Sequence, residues 1–225
     1  MTTDYSSIWA KILQLLRFSW PAVVLYVGLS LAPFTYLDLY NPESDFGYWI
    51  VSVVLYGADL LLLITVMRSA GYLNTSVERR VWPYFVTYIL TGILIAIAAL
   101  ALVLPGIYLA MRWLPLFAHL LSSDDDPWAA MGWSIDQTEK IQRPLLLAMI
   151  GPLTCYLISF AAILHWNYVY LEHDAVWPIY EWVSSVWTNL FQAMGFVWFT
   201  LLGVASFQIV TDGENDRQEK IEKPA

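Results

Sequence analysis

Residues 83–104 read PYFVTYILTGILIAIAALALVL, a run of 22 residues that contains no charged side chain. An α-helix of this length rises about 33 Å, at about 1.5 Å per residue. The hydrocarbon core of a bilayer is about 30 Å thick, so the run is long enough to cross it. This segment predicts a membrane-spanning helix.

Five other apolar runs share this pattern. The six predicted spans are residues 20–39, 48–67, 83–104, 105–121, 144–164 and 186–210. The fourth span has only about 17 residues, the lower limit for crossing a bilayer. Leu104-Pro105-Gly106 separates it from the third span, because proline and glycine together favour a sharp turn. The predicted fold is an all-α, polytopic bundle of six transmembrane helices, with residues 1–210 in one membrane domain.

The composition excludes several other classes of protein. Charged residues make up 13% of the chain and hydrophobic residues 59%, whereas soluble domains carry about 25% and about 45–50% respectively. The net charge of −8 comes from acidic loops and an acidic tail, and no basic surface argues for nucleic acid. Cys155 is the one cysteine, so an intramolecular disulfide and a cysteine metal cluster are both excluded.

The 11 lysines and arginines predict how the spans are oriented. All but Arg112 fall in segments that an alternating topology places on one side of the membrane. The clusters are Lys11 and Arg17; Arg68, Arg79 and Arg80; Lys140 and Arg143; Arg217, Lys220 and Lys223. Because lysine and arginine are enriched in cytoplasmic segments, we expect both chain termini to be cytoplasmic. Residues 211–225 are almost wholly polar and are expected to form a disordered tail.

Two cytoplasmic segments show helical periodicity of their own. Residues 5–16 carry one apolar face, formed by Tyr5, Ile8, Trp9, Ile12 and Leu16. Asp126-Pro127 is a helix start, with Asp126 as N-cap and Pro127 at the first helical position. The helix that follows is expected to present Trp128, Met131, Ile135 and Thr138 on one side and to turn Ser134 elsewhere. Both segments are expected to lie flat at the interface; the alternative is a soluble helical cap on the bundle.

A short motif occurs twice at the predicted membrane entrance. Arg17-x-x-Trp20-Pro21-x-x-Val24-x-Tyr26 matches Arg79-x-x-Trp82-Pro83-x-x-Val86-x-Tyr88. One interpretation is three helix-plus-hairpin units, residues 1–67, 68–121 and 122–210, related as parallel repeats. The alternative is that arginine, tryptophan and proline recur at cytoplasmic interfaces for physical reasons alone.

Two charged residues lie inside predicted spans, Asp59 in the second and Arg112 in the fourth. Charged groups are costly in a bilayer and often have a role. A long arginine side chain can cover the difference in depth, so an Asp59–Arg112 ion pair is predicted. The pair would be either a proton or substrate site, or a structural contact that fixes helix register; an Arg112 that snorkels to the interface is the third possibility.

Other polar residues give weaker signals. His119, near the inner end of the fourth span, is expected to form capping or interfacial hydrogen bonds, with pH sensing as the alternative. His165, Glu172, His173 and Asp174 match no metal-ligand spacing, so no metal site is predicted. No nucleophile, phosphate-binding or dinucleotide motif is present, so we expect neither a catalytic site nor a cofactor. Gly195, Gly203 and Ala205 in the sixth span favour either a compact bundle or self-association.

One pair of motifs resembles a known family. Leu104-Pro105-Gly106-Ile107-Tyr108-Leu109-Ala110-Met111-Arg112-Trp113 is followed about twenty residues later by Ala129-Ala130-Met131-Gly132-Trp133-Ser134. These segments resemble the poorly characterised bacterial inner-membrane family that includes YciC, and the membrane domain attached to some glycerophosphoryl diester phosphodiesterases. The chain departs from that pattern after Ser134, where an expected glycine is missing, and it carries no phosphodiesterase domain. The resemblance implies a six-span fold in the bacterial inner membrane.

These features favour a non-enzymatic inner-membrane protein that organises the envelope or supports membrane lipid homeostasis. Its expected partners are the lipid bilayer and either a second copy of the chain or another membrane protein. The alternative is a small transporter or channel that uses Asp59 and Arg112. An intramembrane enzyme ranks third, because no catalytic set of residues is visible.

Overall fold

The computed structural model describes residues 5–73, 80–101, 103–172 and 178–222, and the secondary structure of these residues is helical. The helices are α1 (Tyr5–Tyr40), α2 (Asp45–Ser69), α3 (Val81–Ala101), α4 (Val103–Arg112), α5 (Leu116–Ser122), α6 (Pro127–Glu139), α7 (Gln142–Ala148), α8 (Ile150–Glu172) and α9 (Pro178–Glu222).

Six helical segments in the described part are long and apolar enough to cross a membrane. They are Tyr5–Tyr40, Asp45–Ser69, Val81–Leu100, Val103–Ser122, Gln142–Trp166 and Ile179–Gly213. Each contains or overlaps one of the predicted spans, so the expectation of an all-α protein with six transmembrane helices is confirmed. The chain is a multi-pass integral membrane protein.

The chain folds into two compact units. Unit 1 comprises Met1–Phe18, Val66–Met149 and Thr200–Ala225, and unit 2 comprises Ser19–Thr65 and Ile150–Phe199. The first, second and last helices each contribute residues to both compact units. The expected units 1–67, 68–121 and 122–210 stay a prediction.

Unit 1 has a tightly packed interior. The largest fully buried side chains of the described residues all belong to it: Ile8, Met67, Met111, Leu116, Leu120, Leu145, Met149, Leu202, Val66, Val204, Thr87 and Thr138. Ile8 and Ile12 come from the apolar face predicted for residues 5–16. The same face therefore packs into the interior of unit 1, as the helical-cap alternative requires.

Unit 2 exposes many large apolar side chains along its helices, among them Trp49, Leu61, Leu157 and Phe160. Such side chains would be costly in water, and they suit a helix that faces lipid tails. The basic residues are also distributed unevenly between the two units. All 11 lysines and arginines fall in the residue ranges of unit 1, and the ranges of unit 2 contain none.

Helices α1 and α9 contact each other within unit 1. Lys11 in α1 forms an ion pair with Asp212 in α9, with 2.7 Å between Nζ and Oδ2. The Tyr72 hydroxyl donates a hydrogen bond of 2.5 Å to Oδ1 of the same carboxylate. Burial and the neighbouring Asp212 charge both raise the pKa of Tyr72 above its ordinary value. The contact agrees with an even number of membrane crossings; a cytoplasmic location for both ends stays a prediction.

Two boundaries predicted from the sequence are wrong. α1 runs without interruption from Tyr5 to Tyr40 and includes Pro21, where a separate interfacial helix was expected to end. α9 continues to Glu222, so residues 211–222 are helical and do not form the disordered tail expected of them. A helix that is already nucleated and packed extends at little cost, which is why polar residues can continue it.

The turn between the third and fourth spans also lies elsewhere than predicted. α3 ends at Ala101 and α4 begins at Val103, so Pro105 and Gly106 belong to the first turn of α4. Proline is tolerated there because the first turn of a helix needs no N–H from it. A Cβ on Gly106 would lie 2.8 Å from the Cβ of Ala99. Gly106 therefore permits the close approach of α4 to α3 and does not form the turn.

Candidate functional site

Unit 2 holds a carboxylate that accepts hydrogen bonds from three neutral donors. Asp38, near the end of α1, accepts from the Tyr48 hydroxyl (2.7 Å), the Ser185 hydroxyl (2.6 Å) and the Asn189 amide Nδ2 (2.8 Å). Because α2 and α9 supply these donors, Asp38 joins three helices of the unit. Hydrogen bonds to the charged form stabilise a carboxylate as an anion.

Asp38 lies on the wall of a cavity of about 720 Å³ within unit 2. The cavity is lined by Phe34, Asp38, Leu39, Pro42, Tyr48, Ile163, Trp166, Glu181, Ser184, Ser185, Thr188, Asn189 and Gln192. This volume falls in the range of about 300–1,000 Å³ that is typical of small-molecule sites. With two carboxylates, several hydroxyl and amide groups and aromatic faces, the cavity suits a polar or cationic ligand of more than a few atoms.

A second cavity, of about 440 Å³, adjoins the first. Ser184 lines both cavities, and the rest of the second wall comes from Ile158, Ala161, Ala162, His165, Tyr180, Val183 and Trp187. His165 and Trp166 both contact the Tyr180 ring, with ring centroids 6.0 and 5.7 Å apart. A cavity with both polar and apolar lining therefore lies beside a mainly apolar one within the same unit.

Asp59 lies in the interior of unit 2 and is 6% exposed. Tyr26 and Tyr156 both lie close enough to interact with its charge. Tyr26 in turn stacks on Phe196, with 5.4 Å between ring centroids. Since Arg112 belongs to unit 1, the Asp59–Arg112 ion pair stays a prediction.

Arg112 is the last residue of α4, at a break in the fourth span. Pro115 has no N–H to donate to Met111, and Leu114 bonds the Met111 carbonyl in its place. Leu116 donates to Trp113, so the chain does not continue as one helix into α5. A carbonyl that loses its helical partner inside a membrane protein must find another donor.

Helix α6 supplies that donor. The Ser134 hydroxyl donates to the Arg112 carbonyl at 2.7 Å, and Thr138 Oγ1 lies 3.3 Å from the same oxygen. Ser134 and Thr138 are both 0% exposed, so the prediction that Ser134 turns away from the packed face is wrong. Trp128, predicted on that face, is largely exposed. Helical periodicity alone placed the larger apolar side chains of α6 on the packed face. In the structure, Ser134 and Thr138 lie on that face because they bond the Arg112 carbonyl.

The connection between α5 and α6 was better predicted. Asp126 is the N-cap of α6, and its Oδ1 accepts from the backbone N–H groups of Trp128 and Ala129 at 2.8 and 3.0 Å. This confirms the N-cap and the position of Pro127. Asp124 forms an ion pair with Arg80, which ties the connection to the residue just before α3.

His119 of α5 contacts the same connection. Its Nε2 lies 2.6 Å from Asp125 Oδ2, and its ring stacks on Trp133 with 3.8 Å between centroids and 8° between planes. Phe207 of α9 packs beside both rings. The hydrogen bond predicted for His119 is therefore present; its partner and the stacked tryptophan were not predicted.

The small residues of the sixth span serve packing within the chain. Gly195 faces Cys155 and Tyr156, and a Cβ there would lie 3.3 Å from each. A Cβ on Gly203 would lie 2.7 Å from the backbone oxygen of Leu114. These contacts favour the compact-bundle interpretation over self-association.

Asp38 and the cavity around it were missed, although the sequence carries a signal for them. Glu181, Ser185, Thr188, Asn189 and Gln192 recur at intervals of three and four residues, and so share one face of α9. The predicted sixth span begins at residue 186, which cuts this polar stripe in two. The first predicted span ends at residue 39, and Asp38 beside that end is grouped with the acidic residues of the loop that follows.

No family model, curated protein or solved structure matches this chain. The geometry of the two units is therefore what indicates the function of this chain.

Proposed function

We propose that this chain is a non-enzymatic protein of the bacterial inner membrane that binds a lipid with an ammonium headgroup and so supports membrane lipid homeostasis. The observation that carries the proposal is a pair of adjoining cavities in unit 2 that share Ser184, one lined by both polar and apolar groups and the other mainly apolar. A lipid has a polar headgroup and apolar acyl chains, which suit the two cavities. The resemblance of residues 104–134 to the family that includes YciC supports the inner-membrane assignment.

The charge on the ligand follows from the surroundings of Asp38. Its three hydrogen-bond donors are neutral groups, and no lysine or arginine occurs in residues 19–65 or 150–199. An ammonium group would supply the missing positive charge. Phe34, Tyr48 and Trp166 on the cavity wall suit this ligand too, because aromatic faces attract organic cations.

The test compares two substitutions that remove the same charge. Asp38→Asn is expected to weaken binding of phosphatidylethanolamine about 10-fold or more, which corresponds to about 1.4 kcal/mol. Asp45→Asn, on an exposed residue at the start of α2, is the matched control and should bind as the wild type does. Native mass spectrometry of the purified protein at graded lipid concentrations measures both. Equal binding by Asp38→Asn and the wild type would refute the assignment.

A second candidate function is transport through the intramembrane charges. The observation that favours it is the burial of Asp59 and Arg112, each 6% exposed, since buried charges inside membrane spans often mark ion or proton pathways. Ion- or proton-coupled flux in proteoliposomes that Asp59→Asn abolishes would establish it.

The inner-membrane proposal also makes a prediction about sidedness. In a Cys155→Ser background, Glu43→Cys should react with a membrane-impermeant maleimide in intact cells, because its loop carries no lysine or arginine. Lys140→Cys, in unit 1, should react only after lysis. Both positions are exposed, so accessibility to the reagent is matched. Labelling of Lys140→Cys in intact cells would reverse the predicted topology.

A further inference from the structure

Several buried side-chain N–H groups at the break between α4 and α5 have no hydrogen-bond partner among the described residues. Arg112 is 6% exposed, and its Nε and Nη1 are buried without a hydrogen-bond partner among the described residues. The indole Nε1 of the next residue, Trp113, is in the same situation. Buried charged groups are normally paired, because an unpaired one loses its hydration without compensation. An arginine that merely snorkels would keep its guanidinium hydrated, which these enclosed nitrogens are not.

The acidic side chains that the structure describes in unit 1 do not pair with Arg112. Asp124 is paired with Arg80, Asp125 with His119, and Asp212 with Lys11. Asp126 is committed to the N-terminus of α6, while Asp136 and Glu139 are exposed. Each of these six acids is therefore either engaged elsewhere or directed to the surface.

The backbone at this point is held in place. Ser134 and Thr138 of α6 fix the Arg112 carbonyl, and the Tyr108 ring lies 5.7 Å from the guanidinium carbon. An arginine guanidinium presents a fork of N–H donors that matches two oxygens of a phosphate. Because Arg112 is already buried, binding an oxyanion should cost its side chain less conformational entropy than it would cost an exposed arginine.

We propose that Arg112 and Trp113 form a binding site for a phosphate group, supplied either by a phospholipid headgroup or by a free phosphate. The guanidinium provides the charge and two hydrogen bonds, and the indole N–H provides a third donor. This site lies in unit 1 and does not depend on the ammonium site proposed for unit 2.

The test measures the melting temperature of the purified protein in neutral detergent with three separate probes: phosphatidic acid, inorganic phosphate and diacylglycerol, which has no phosphate. At ten times the dissociation constant, a phosphate-bearing probe should raise the melting temperature of the wild type by about 3–6 °C. A rise with phosphatidic acid alone identifies the lipid as the source, and a rise with inorganic phosphate identifies the free anion. Diacylglycerol should give no rise.

Substitutions assign the effect to the side chain. Arg112→Gln should abolish the rise, and Arg112→Lys, which keeps the charge but not the fork, should bind about 10-fold more weakly. Arg143→Gln, on an exposed arginine of the same unit, is the control and should respond as the wild type does. Asp38→Asn should also respond fully, which separates this site from the one in unit 2.

Two results would overturn the proposal. One is an undiminished rise in Arg112→Gln or, if that variant does not fold, an undiminished affinity in Arg112→Lys. The other is a wild type that neither responds to phosphatidic acid or phosphate nor carries a phosphorus-containing molecule when its extract is analysed by phosphorus NMR.

Discussion

Gly203→Val is expected to destabilise the protein by about 3 kcal/mol or more, the upper range for forcing extra atoms into a packed interior. A Cβ at residue 203 would lie 2.7 Å from the backbone oxygen of Leu114. That oxygen belongs to the turn between α4 and α5 and cannot move as a flexible side chain would. Even Gly203→Ala should cost about 1–3 kcal/mol.

Gly132→Ala is the matched control for this substitution. Gly132 also lies in a helix of unit 1, but a Cβ there would meet nothing within 4 Å. Alanine has a higher helix propensity than glycine, so the control should be neutral or slightly stabilising. Thermal unfolding in detergent, followed through tryptophan fluorescence, measures all three variants. A Gly203→Val protein as stable as Gly132→Ala would mean that α9 does not pack against this turn.

Removing both hydroxyls of α6 should be more damaging than removing either one. In Ser134→Ala the Arg112 carbonyl can still turn to Thr138, which lies 3.3 Å away. In Ser134→Ala/Thr138→Val the carbonyl has neither hydroxyl, and a buried unsatisfied acceptor costs about 1–3 kcal/mol. The loss in the double variant should therefore exceed the sum of the two single losses.

Ser122 provides the comparison for these two hydroxyls. The Ser122 hydroxyl bonds only carbonyls of its own helix, those of Ala118 and His119, and its side chain is exposed. Ser122→Ala should change the free energy of unfolding by no more than about 0.5 kcal/mol. Strictly additive losses at residues 134 and 138, measured by the same thermal unfolding, would argue against a shared acceptor.

Local signals predicted some parts of this protein well. The six spans follow from the length and composition of the apolar runs, which respond to the bilayer wherever they lie in the chain. The N-cap at Asp126 follows from two adjacent residues. The course of α1 through Pro21 was missed because proline was assumed to separate two helices, whereas the packing of Ile8 and Ile12 keeps the first turns attached to the rest.

The parts that depend on distant residues could not be predicted in this way. Ser134 finds the Arg112 carbonyl 22 positions away, and nothing in either local sequence announces the pairing. Asp38 meets Asn189 across 151 positions, so a residue taken for a loop acid became the centre of the site. Charge patterns were more informative: the contrast between basic and acidic segments reappears in the residue ranges of the two units.

Pro115 also affects how the protein is made. The fourth span emerges from the ribosome before Ser134 and Thr138 do, yet these two residues supply the hydrogen bonds that its interrupted backbone lacks. Until they arrive, an unpaired carbonyl opposes transfer into lipid, and the mean hydropathy of this span, 1.2, is the lowest of the six. We therefore expect residues 103–122 to insert stably only after the segment that contains Ser134 and Thr138 has also emerged.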